Sequence, residues 1–331
     1  YDPEAGNTIT TATFIWTFIS IFALWVGISM VLYVYGQMKE QPVDVFESQG
    51  GTNGHSLTTS DLENGLEYVR PTQRSTYKFF VLAILVFGIQ VLAGIISATD
   101  FMRFGINLND IIPFTVSRSY HTLLQIFWFF MCWVGYTIFF LPRLTKVPKG
   151  QQFLINLLFF VACVVAVGAV TGIYVGQRGW IDDTMSYWFG SQGWEFIELG
   201  RFFQFLLLGG FTLWIYIIYR GVKPWLSKKN FWSVPAWLLW GSGVMVLFLF
   251  FGILMGPDDN FAISDYWRWM VVHMWVEVTF EVFTTVIVAY LLVQMGLVTR
   301  LMAERIIFLA VMLFLVTAIN GISHNFYWIA K

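Results

Sequence analysis

The chain has 331 residues, of which 57% are apolar and 12% are charged, and its formal net charge is −1. This composition lies outside the range of soluble globular proteins, and the charge balance excludes nucleic acid as a partner. The apolar excess instead indicates a protein that spans a lipid bilayer. The two cysteines, Cys132 and Cys163, lie within long apolar runs. We therefore expect two buried small side chains rather than a disulfide or a CxxC metal site.

Eight apolar stretches are long enough to cross a bilayer, for which a helix needs about 20 residues. In chain order they are 11–36, 79–98, 121–141, 153–175, 194–219, 232–255, 265–294 and 304–328. The longest connection, 37–77, is rich in Gly, Ser, Asn and acidic residues and contains His55, which we expect to be an exposed loop histidine. The sequence thus predicts an all-α polytopic membrane helical bundle.

We expect residues 1–331 to form a single membrane domain that is a fragment of a longer catalytic subunit. The chain begins at Tyr1 rather than Met, and it ends at Lys331 directly after an apolar stretch. No basic segment followed by a short apolar core opens the chain, so the first apolar stretch is predicted to be a true membrane span.

Most basic residues fall in alternate loops, which predicts the orientation of the bundle because cytoplasmic loops retain positive charge. These loops contain Lys39, Arg70, Arg74, Lys78, Arg143, Lys146, Lys149, Arg220, Lys223, Lys228, Lys229, Arg300 and Arg305. We therefore predict that 37–77 is cytoplasmic.

His121, His273 and His324 would then lie in the outer half of the membrane. A single membrane histidine is usually a helix-helix hydrogen bonder, but three at related depth favour a metal site.

The stretch 265–294 carries the strongest chemical pattern. His273, Glu277 and Glu281 follow at successive four-residue steps, which places them on one face of a helix. Ionisable groups inside a span are costly unless they are paired or coordinated, and a bound cation removes that cost. Imidazole with carboxylate suits iron better than copper. The alternative is a hydrogen-bonded cluster or proton path without metal.

Three further assignments depend on the same stretches. Glu281 is predicted to be an outer-shell or proton-relay carboxylate, whereas Asn325, next to His324, either contributes a carbonyl oxygen to the metal or stabilises a helix contact. Near the outer end of the fifth stretch, charged residues at three-residue spacing predict an ion-paired cluster without a catalytic role: Glu195, Glu198 and Arg201. This cluster either lines a polar cavity or forms an interfacial salt-bridge network.

Three segments resemble quinol-dependent nitric oxide reductases of the haem-copper oxidase superfamily. They are YWRWMVVHMWVEVTFEVF at 266–283, WFGSQGWEFIELGRFFQ at 188–204 and SRSYHTL at 117–123. The resemblance implies two b haems, one low-spin and one high-spin, with a non-haem iron facing the high-spin haem. His121 would be an axial ligand of the low-spin haem. His273, Glu277 and His324 would hold the non-haem iron, with Glu281 as a nearby second carboxylate.

The resemblance also implies a location and partners. The protein would be multi-pass in the bacterial inner membrane, with its site towards the periplasmic half and nitric oxide as its substrate. The remaining ligands, including the proximal ligand of the high-spin haem, would come from C-terminal helices of the same subunit that this chain does not contain.

Two departures from the reductase pattern suggest a different reaction. The family has a second histidine where this chain has Asn325, and residues 95–120 lack the His and Glu that quinol-dependent members place there. Both features resemble the group proposed as nitric oxide dismutases, so quinol is a doubtful partner. We predict dismutation of two NO to N2 and O2. The alternatives are reduction to N2O and a non-catalytic haem-binding membrane subunit.

Overall fold

The computed structural model describes residues 69–102, 108–191, 198–256 and 258–326, together with scattered helical positions between 11 and 33. Side chains are described within these ranges except at 101, 102, 143, 261 and 319–326. The chain divides into two compact units, 1–42 and 43–331. The predicted span 11–36 falls largely outside the described residues, as do His55 and most of the predicted loop 37–77.

The second unit consists of helices in the described residues. They are α1 (Pro71–Arg74), α2 (Tyr77–Met102), α3 (Phe114–Leu144), α4 (Gln151–Gln177), α5 (Asp183–Phe189), α6 (Arg201–Val222), α7 (Val234–Phe250), a 3-10 turn (Phe251–Leu254), α8 (Phe261–Trp269), π segments Met270–Trp275 and Val278–Phe283, α9 (Thr284–Gln294) and α10 (Arg300–Phe326). Seven helices in this part are long and apolar enough to span a membrane. The predicted polytopic α-helical membrane fold is confirmed.

One of the seven spans, Ala262–Gln294, combines α8, the two π segments and α9, and we call it the ligand helix because it carries His273 and Glu277. It begins where the side chain of Asn260 accepts a hydrogen bond from the backbone N–H of Ala262, at 3.0 Å. This bond satisfies one of the amide groups that the first turn of a helix leaves unpaired.

Two predicted helix starts were wrong. The helix predicted at 121–141 is α3, and it starts at Phe114 rather than at residue 121. His121 therefore lies about 10 Å along this helix and is not its first residue. Its first turns are polar in sequence, but Ser117 and Ser119 donate to helix carbonyls at 3.0 and 2.8 Å and are buried. Hydroxyl groups bonded to their own helix extend it beyond the apolar stretch.

The helix predicted at 194–219 is α6, and it starts at Arg201 rather than at residue 194, because residues 198–200 are not helical. Gly200 has an extended conformation, with φ −55° and ψ 146°. A Cβ atom at Gly200 would lie 2.6 Å from the carbonyl oxygen of Trp188, so this segment passes directly against the end of α5. That close backbone approach requires glycine and delays the helix.

An aromatic cluster fixes the ligand helix against its neighbours. The Phe283 ring packs edge-on against Trp133 of α3 and Trp214 of α6, with centroid distances of 5.2 and 5.5 Å. Trp214 is fully buried and its indole N–H donates to Thr137 at 2.9 Å. On the opposite side, a Cβ atom at Gly241 of α7 would lie 3.1 Å from the Phe283 ring. The ligand helix therefore cannot rotate without disturbing three neighbouring helices.

Successive spans run in opposite directions, so the beginnings of α3, α6 and the ligand helix lie at the same end of the bundle as the end of α10. Contacts support this arrangement, since Tyr174 near the end of α4 donates to the Ile111 carbonyl at 2.9 Å. At the opposite end, Arg220 donates to the Lys149 carbonyl at 2.5 Å. His121, His273 and the backbone of residue 324 thus share one end of the bundle. That this end faces the periplasm stays a prediction.

Both cysteines are free, and each is half-buried rather than fully buried as predicted. Cys132 lies on α3 and Cys163 on α4, each within a span. Outer flanks of these helices are exposed in this chain and are apolar, as expected for helices that face lipid.

Candidate metal and haem ligand site

The structure brings His273 and Glu277 together. The Nε2 atom of His273 lies 3.1 Å from the Oε1 atom of Glu277. The two atoms are nevertheless not aligned for a hydrogen bond. The buried Nε2 therefore has no hydrogen-bond partner within the described residues. The distance suits an ion pair between the two side chains, and it also suits two donors of one bound cation.

The local winding of the helix explains why the two side chains face each other. His273 lies in the first π segment and Glu277 directly precedes the second. A π turn holds more residues than the 3.6 of an α turn, so each residue advances less about the axis. A step of four residues that includes part of a π segment is therefore closer to one full turn than the same step in a regular α-helix, so the two side chains point in nearly the same direction. The hydroxyl of Thr284 donates to the carbonyl of Thr279 at 3.0 Å and satisfies an acceptor in the second π segment.

Two neighbours orient the pair. The imidazole of His273 stacks on the indole of Trp269, with a centroid distance of 5.3 Å and an interplanar angle of 21°. The hydroxyl of Thr317 on α10 lies 3.2 Å from Oε2 of Glu277, and it shares its single proton between this oxygen and the carbonyls of Leu313 and Phe314 on its own helix. The Oε2 atom of Glu277 thus accepts a hydrogen bond from α10, and its Oε1 atom faces the imidazole of His273. Sequence reasoning missed Trp269 and Thr317, although Trp269 stands one helical turn before His273.

The donor pair fits a transition-metal ion. Nitrogen and oxygen donors bound at about 2.0–2.2 Å and at right angles are about 3 Å apart, which agrees with the observed separation. Where the structure describes side chains, no three His, Cys, Asp or Glu residues could hold a metal ion together. The side chains of His324 and Asn325 lie outside the described residues, so their roles as third and fourth donors stay predictions. Their backbone is in the last turns of α10.

The carboxylate of Glu281 makes no hydrogen bond to His273 or Glu277, although Glu281 is only four residues from Glu277. Its side chain is exposed, and none of its hydrogen bonds to the described residues involves the carboxylate. The second π segment covers the interval between Glu277 and Glu281, so Glu281 lies about one turn beyond Glu277 on the same side of the helix, with its carboxylate exposed. The predicted outer-shell or relay role of Glu281 stays a prediction.

His121 occupies a separate position against α2. Its Nδ1 atom lies 2.9 Å from Nε2 of Gln90 and 3.1 Å from the backbone oxygen of Gln90. Gly94, one turn further along α2, packs directly against the ring. The ring is half-buried, and its Nε2 atom makes no hydrogen bond to any described residue. An imidazole held through Nδ1 with Nε2 available has the donor chemistry of an axial haem ligand. The residues present therefore fit the haem that the resemblance implies.

The predicted ion-paired cluster of Glu195, Glu198 and Arg201 is wrong for the two members that the structure describes, because Glu198 and Arg201 do not pair with each other. Glu198 accepts a hydrogen bond from Arg118 of α3 at 2.7 Å. Burial raises the pKa of the Glu198 carboxyl, and the nearby Arg118 guanidinium opposes that rise. Glu195 lies outside the described residues. The extended segment before α6 turns Glu198 away from Arg201, and a helical register would have kept them on one face.

Arg201 itself is buried, with 4% of its surface exposed. Its guanidinium donates to the side chains of Tyr187 and Gln204 and to the backbone carbonyls of Ile253 and Met255. These acceptors are neutral, so the cation is stabilised by hydrogen bonds rather than by a described carboxylate. The result connects the start of α6 to the segment that leads into the ligand helix.

A largely apolar cavity of about 460 Å³ lies beside the ligand helix. Val272, Trp275 and Val276 form one of its walls, next in sequence to His273 and Glu277. Arg118, Glu198 and Arg268 supply its charged lining, and the rest is contributed mainly by aliphatic and phenylalanine side chains of α3, α4 and α6. Such a cavity admits small uncharged molecules more readily than ions.

The chain is similar to a known protein family and to a curated protein. The family model for cytochrome c and quinol oxidase polypeptide I matches residues 74–331. A nitric oxide reductase subunit from Stutzerimonas stutzeri is 26% identical over 252 residues, which are 76% of this chain and 52% of that protein. The chain thus spans about half the length of this curated relative. The family match covers most of the chain and includes every described spanning helix that carries a candidate ligand. The chain belongs to the cytochrome c and quinol oxidase polypeptide I family, the haem-copper oxidase superfamily, and is similar within it to nitric oxide reductase.

Proposed function

We propose that the full-length protein is a membrane oxidoreductase that acts on nitric oxide at a non-haem iron held by His273, Glu277 and His324. The observation that carries this proposal is the 3.1 Å separation of His273 Nε2 and Glu277 Oε1 without a hydrogen bond. Imidazole and carboxylate together suit iron, whereas copper is usually bound by imidazoles alone. The name of the relative from Stutzerimonas stutzeri supports nitric oxide as the substrate.

In this proposal the residues of the chain bind, orient and balance charge. Stacking on Trp269 fixes the plane of the His273 ring, and Thr317 fixes the carboxylate of Glu277. The carboxylate offsets the charge of a cation in a medium of low dielectric constant. When bound, the non-haem iron and the haems would supply the redox chemistry of NO conversion. The adjacent apolar cavity supports access of a neutral substrate through the bundle.

The proposed cofactor set also includes two b haems. His121 would bind the low-spin haem, while the high-spin haem would receive its proximal ligand from C-terminal helices of the same subunit, which this chain does not contain. We place the protein in the bacterial inner membrane, with the site in the periplasmic half. The charge asymmetry of the loops supports that orientation.

We infer that the reaction is dismutation, in which two NO become one N2 and one O2 without external electrons. Asn325 would offer a weaker amide donor where relatives of the reductase type have imidazole, and this changes the electron density at the iron. Residues 95–120 contain neither His nor Glu, so the quinol-binding pair of those relatives is missing. A reaction that needs no net electrons tolerates this loss.

The second candidate is reduction, in which two NO, two electrons and two protons give N2O and water. The printed name of the curated relative favours it. In this case electrons would have to come from a quinol site built from other residues. The candidate from another class, a haem-binding membrane subunit without catalysis, is disfavoured by the retention of both His273 and Glu277.

The test supplies isotope-labelled NO to the full-length enzyme, with and without quinol, and measures N2, O2 and N2O by mass spectrometry. We expect N2 and O2 in equal amounts without quinol. N2O formed only with quinol, and no O2, would establish reduction instead. A protein that contains its haems and iron but consumes no NO in either condition would be a non-catalytic subunit. The Glu277→Gln variant, purified in the same way, controls for reaction of NO with exposed haem.

A further inference from the structure

The histidine at 121 is held by two residues of α2 that lie one helical turn apart. Gln90 is buried, with 7% of its surface exposed, and its side chain reaches the imidazole at 2.9 Å from Nδ1. The backbone oxygen of Gln90 lies 3.1 Å from the same ring atom. Two groups of one residue therefore converge on a single nitrogen, 31 positions away in the chain.

These two contacts restrict the position of the ring proton. A backbone oxygen is only an acceptor, so its contact requires a proton on Nδ1. The amide of glutamine offers either its oxygen or its nitrogen to the ring, and the two are exchanged by a simple rotation. Rotation of the Gln90 amide puts its oxygen in the position of its own Nε2, 2.9 Å from Nδ1, and with Nδ1 protonated this oxygen and the backbone oxygen then both accept from it. The Nε2 atom of His121 then carries the lone pair that a metal needs.

Gly94 provides the space that this ring position requires. A Cβ atom at residue 94 would lie 2.6 Å from Nδ1 and 2.7 Å from Cε1 of His121. These distances are far inside van der Waals contact, so any side chain at residue 94 would push the ring out of its place. Gly88, six residues earlier on α2, has no neighbour within 4 Å of the same hypothetical atom.

We propose that Gln90 and Gly94 are positioning residues for His121: Gly94 admits the imidazole against α2, and Gln90 fixes its proton on Nδ1 so that Nε2 binds the haem iron. This inference rests on the proposed role of His121 as an axial ligand of the low-spin haem. It adds to that role the two residues that select the ring position and the tautomer.

The first experiment compares Gly94→Ala with Gly88→Ala in the full-length enzyme. We expect Gly94→Ala to lose the optical and electron paramagnetic resonance signature of the low-spin haem, because the added methyl group displaces the ring. Gly88→Ala should keep the signature of the parent, because it faces open space on the same helix. Equal signatures in the two variants would overturn the role of Gly94. A parent without a low-spin haem would instead overturn the proposed function of His121.

The second experiment measures the midpoint potential of the low-spin haem, and it decides the matter even if Gly94→Ala fails to accumulate. An acceptor on Nδ1–H strengthens the imidazole as a donor and favours ferric iron. Gln90→Met removes the side-chain acceptor but keeps the backbone oxygen of residue 90, so it should raise the potential, whereas Gln90→Glu offers a charged acceptor and should lower it. A tenfold change in the ferric-to-ferrous preference corresponds to about 59 mV for one electron. Unchanged potentials in both variants would overturn the role of the Gln90 side chain, and shifts of the opposite sign would contradict a proton on Nδ1.

Discussion

The surroundings of His121 and of His273 are built in different ways. His121 depends on a neighbouring helix, since Gln90 and Gly94 of α2 determine its ring position. His273 depends mainly on its own helix, which supplies both the stacked Trp269 and the facing Glu277. Among the described residues, Thr317 makes the only hydrogen bond to that pair from another helix. The first site is therefore sensitive to helix packing, and the second to winding and to ligand identity.

The largest expected effect comes from removing a donor on the ligand helix. Glu277→Ala should abolish non-haem iron binding in the full-length enzyme, lowering iron affinity by about 100-fold or more, because it removes a first ligand rather than a supporting residue. The measurement is non-haem iron per protein after dialysis against graded chelator. Glu281→Ala is the matched control on the same helix, and we expect it to retain iron because its carboxylate is exposed and makes no hydrogen bond to His273 or Glu277. Equal iron loss in both variants would show that the regular α-helical stripe is functional after all.

The next effect concerns Asn325, which in the proposed function would distinguish dismutation from reduction. Imidazole is a stronger donor than an amide carbonyl, so Asn325→His should restore a reductase-like ligand set and abolish O2 production. Changes around a metal site commonly alter activity by about 10–100-fold, which is enough to redirect products. Labelled products of the parent and the variant are measured with and without quinol. If the variant still released O2 at the rate of the parent, Asn325 would have no part in selecting the product.

A smaller effect is expected at the contact between helices. Thr317→Val keeps the shape of the side chain but removes the hydroxyl that engages Glu277, so iron affinity should fall by about tenfold. Thr317→Ser retains the hydroxyl and should restore most of the affinity. Thr285→Val controls for loss of a helix hydroxyl, since Thr285 donates to the carbonyl of Glu281 at 2.5 Å. Iron titration of the three variants decides the question, and an equal loss in Thr317→Ser would exclude the hydroxyl as the cause.

The smallest effect is the pH dependence of Glu198, which lies at the same end of the bundle but outside the ligand pair. Burial raises the pKa of its carboxyl above the ordinary value of 4.5, so the folded state binds the proton more tightly than the unfolded state. Stability should therefore fall as pH rises from 4.5 through the raised pKa. The melting temperature of the detergent-solubilised enzyme measures this slope. Glu198→Gln does not titrate and should show a flatter profile, whereas an identical slope in the variant would assign the dependence to other groups.

Much of the membrane architecture could be predicted from composition. Lengths of apolar sequence predicted the seven described spans, because a bilayer requires about 20 apolar residues per helix whatever the neighbouring helices are. The starts of α3 and α6 were mispredicted. Hydropathy does not register that Ser117 and Ser119 bond to their own helix, nor that Gly200 approaches the backbone of Trp188.

The candidate ligands could likewise be named from residue type and spacing, but their supporting residues could not. His273 and Glu277 are four residues apart, and the free energy cost of isolated ionisable groups in a membrane makes such a pair conspicuous. Gln90 and Thr317 give no comparable signal, because an isolated amide or hydroxyl is common in membrane helices. Their relation to His121 and Glu277 crosses 31 and 40 residues of sequence.

The sequence by itself determined the membrane class, the number of apolar spans and the identity of the candidate donors, since these follow from local hydropathy and from the chemistry of single side chains. The tertiary structure decided which donors meet and how they are held. Packing of α2 against α3 selected the position of His121, and π winding brought Glu277 to face His273. Both outcomes depend on helix-helix fit and on backbone hydrogen bonding over whole turns, which residue spacing alone does not specify.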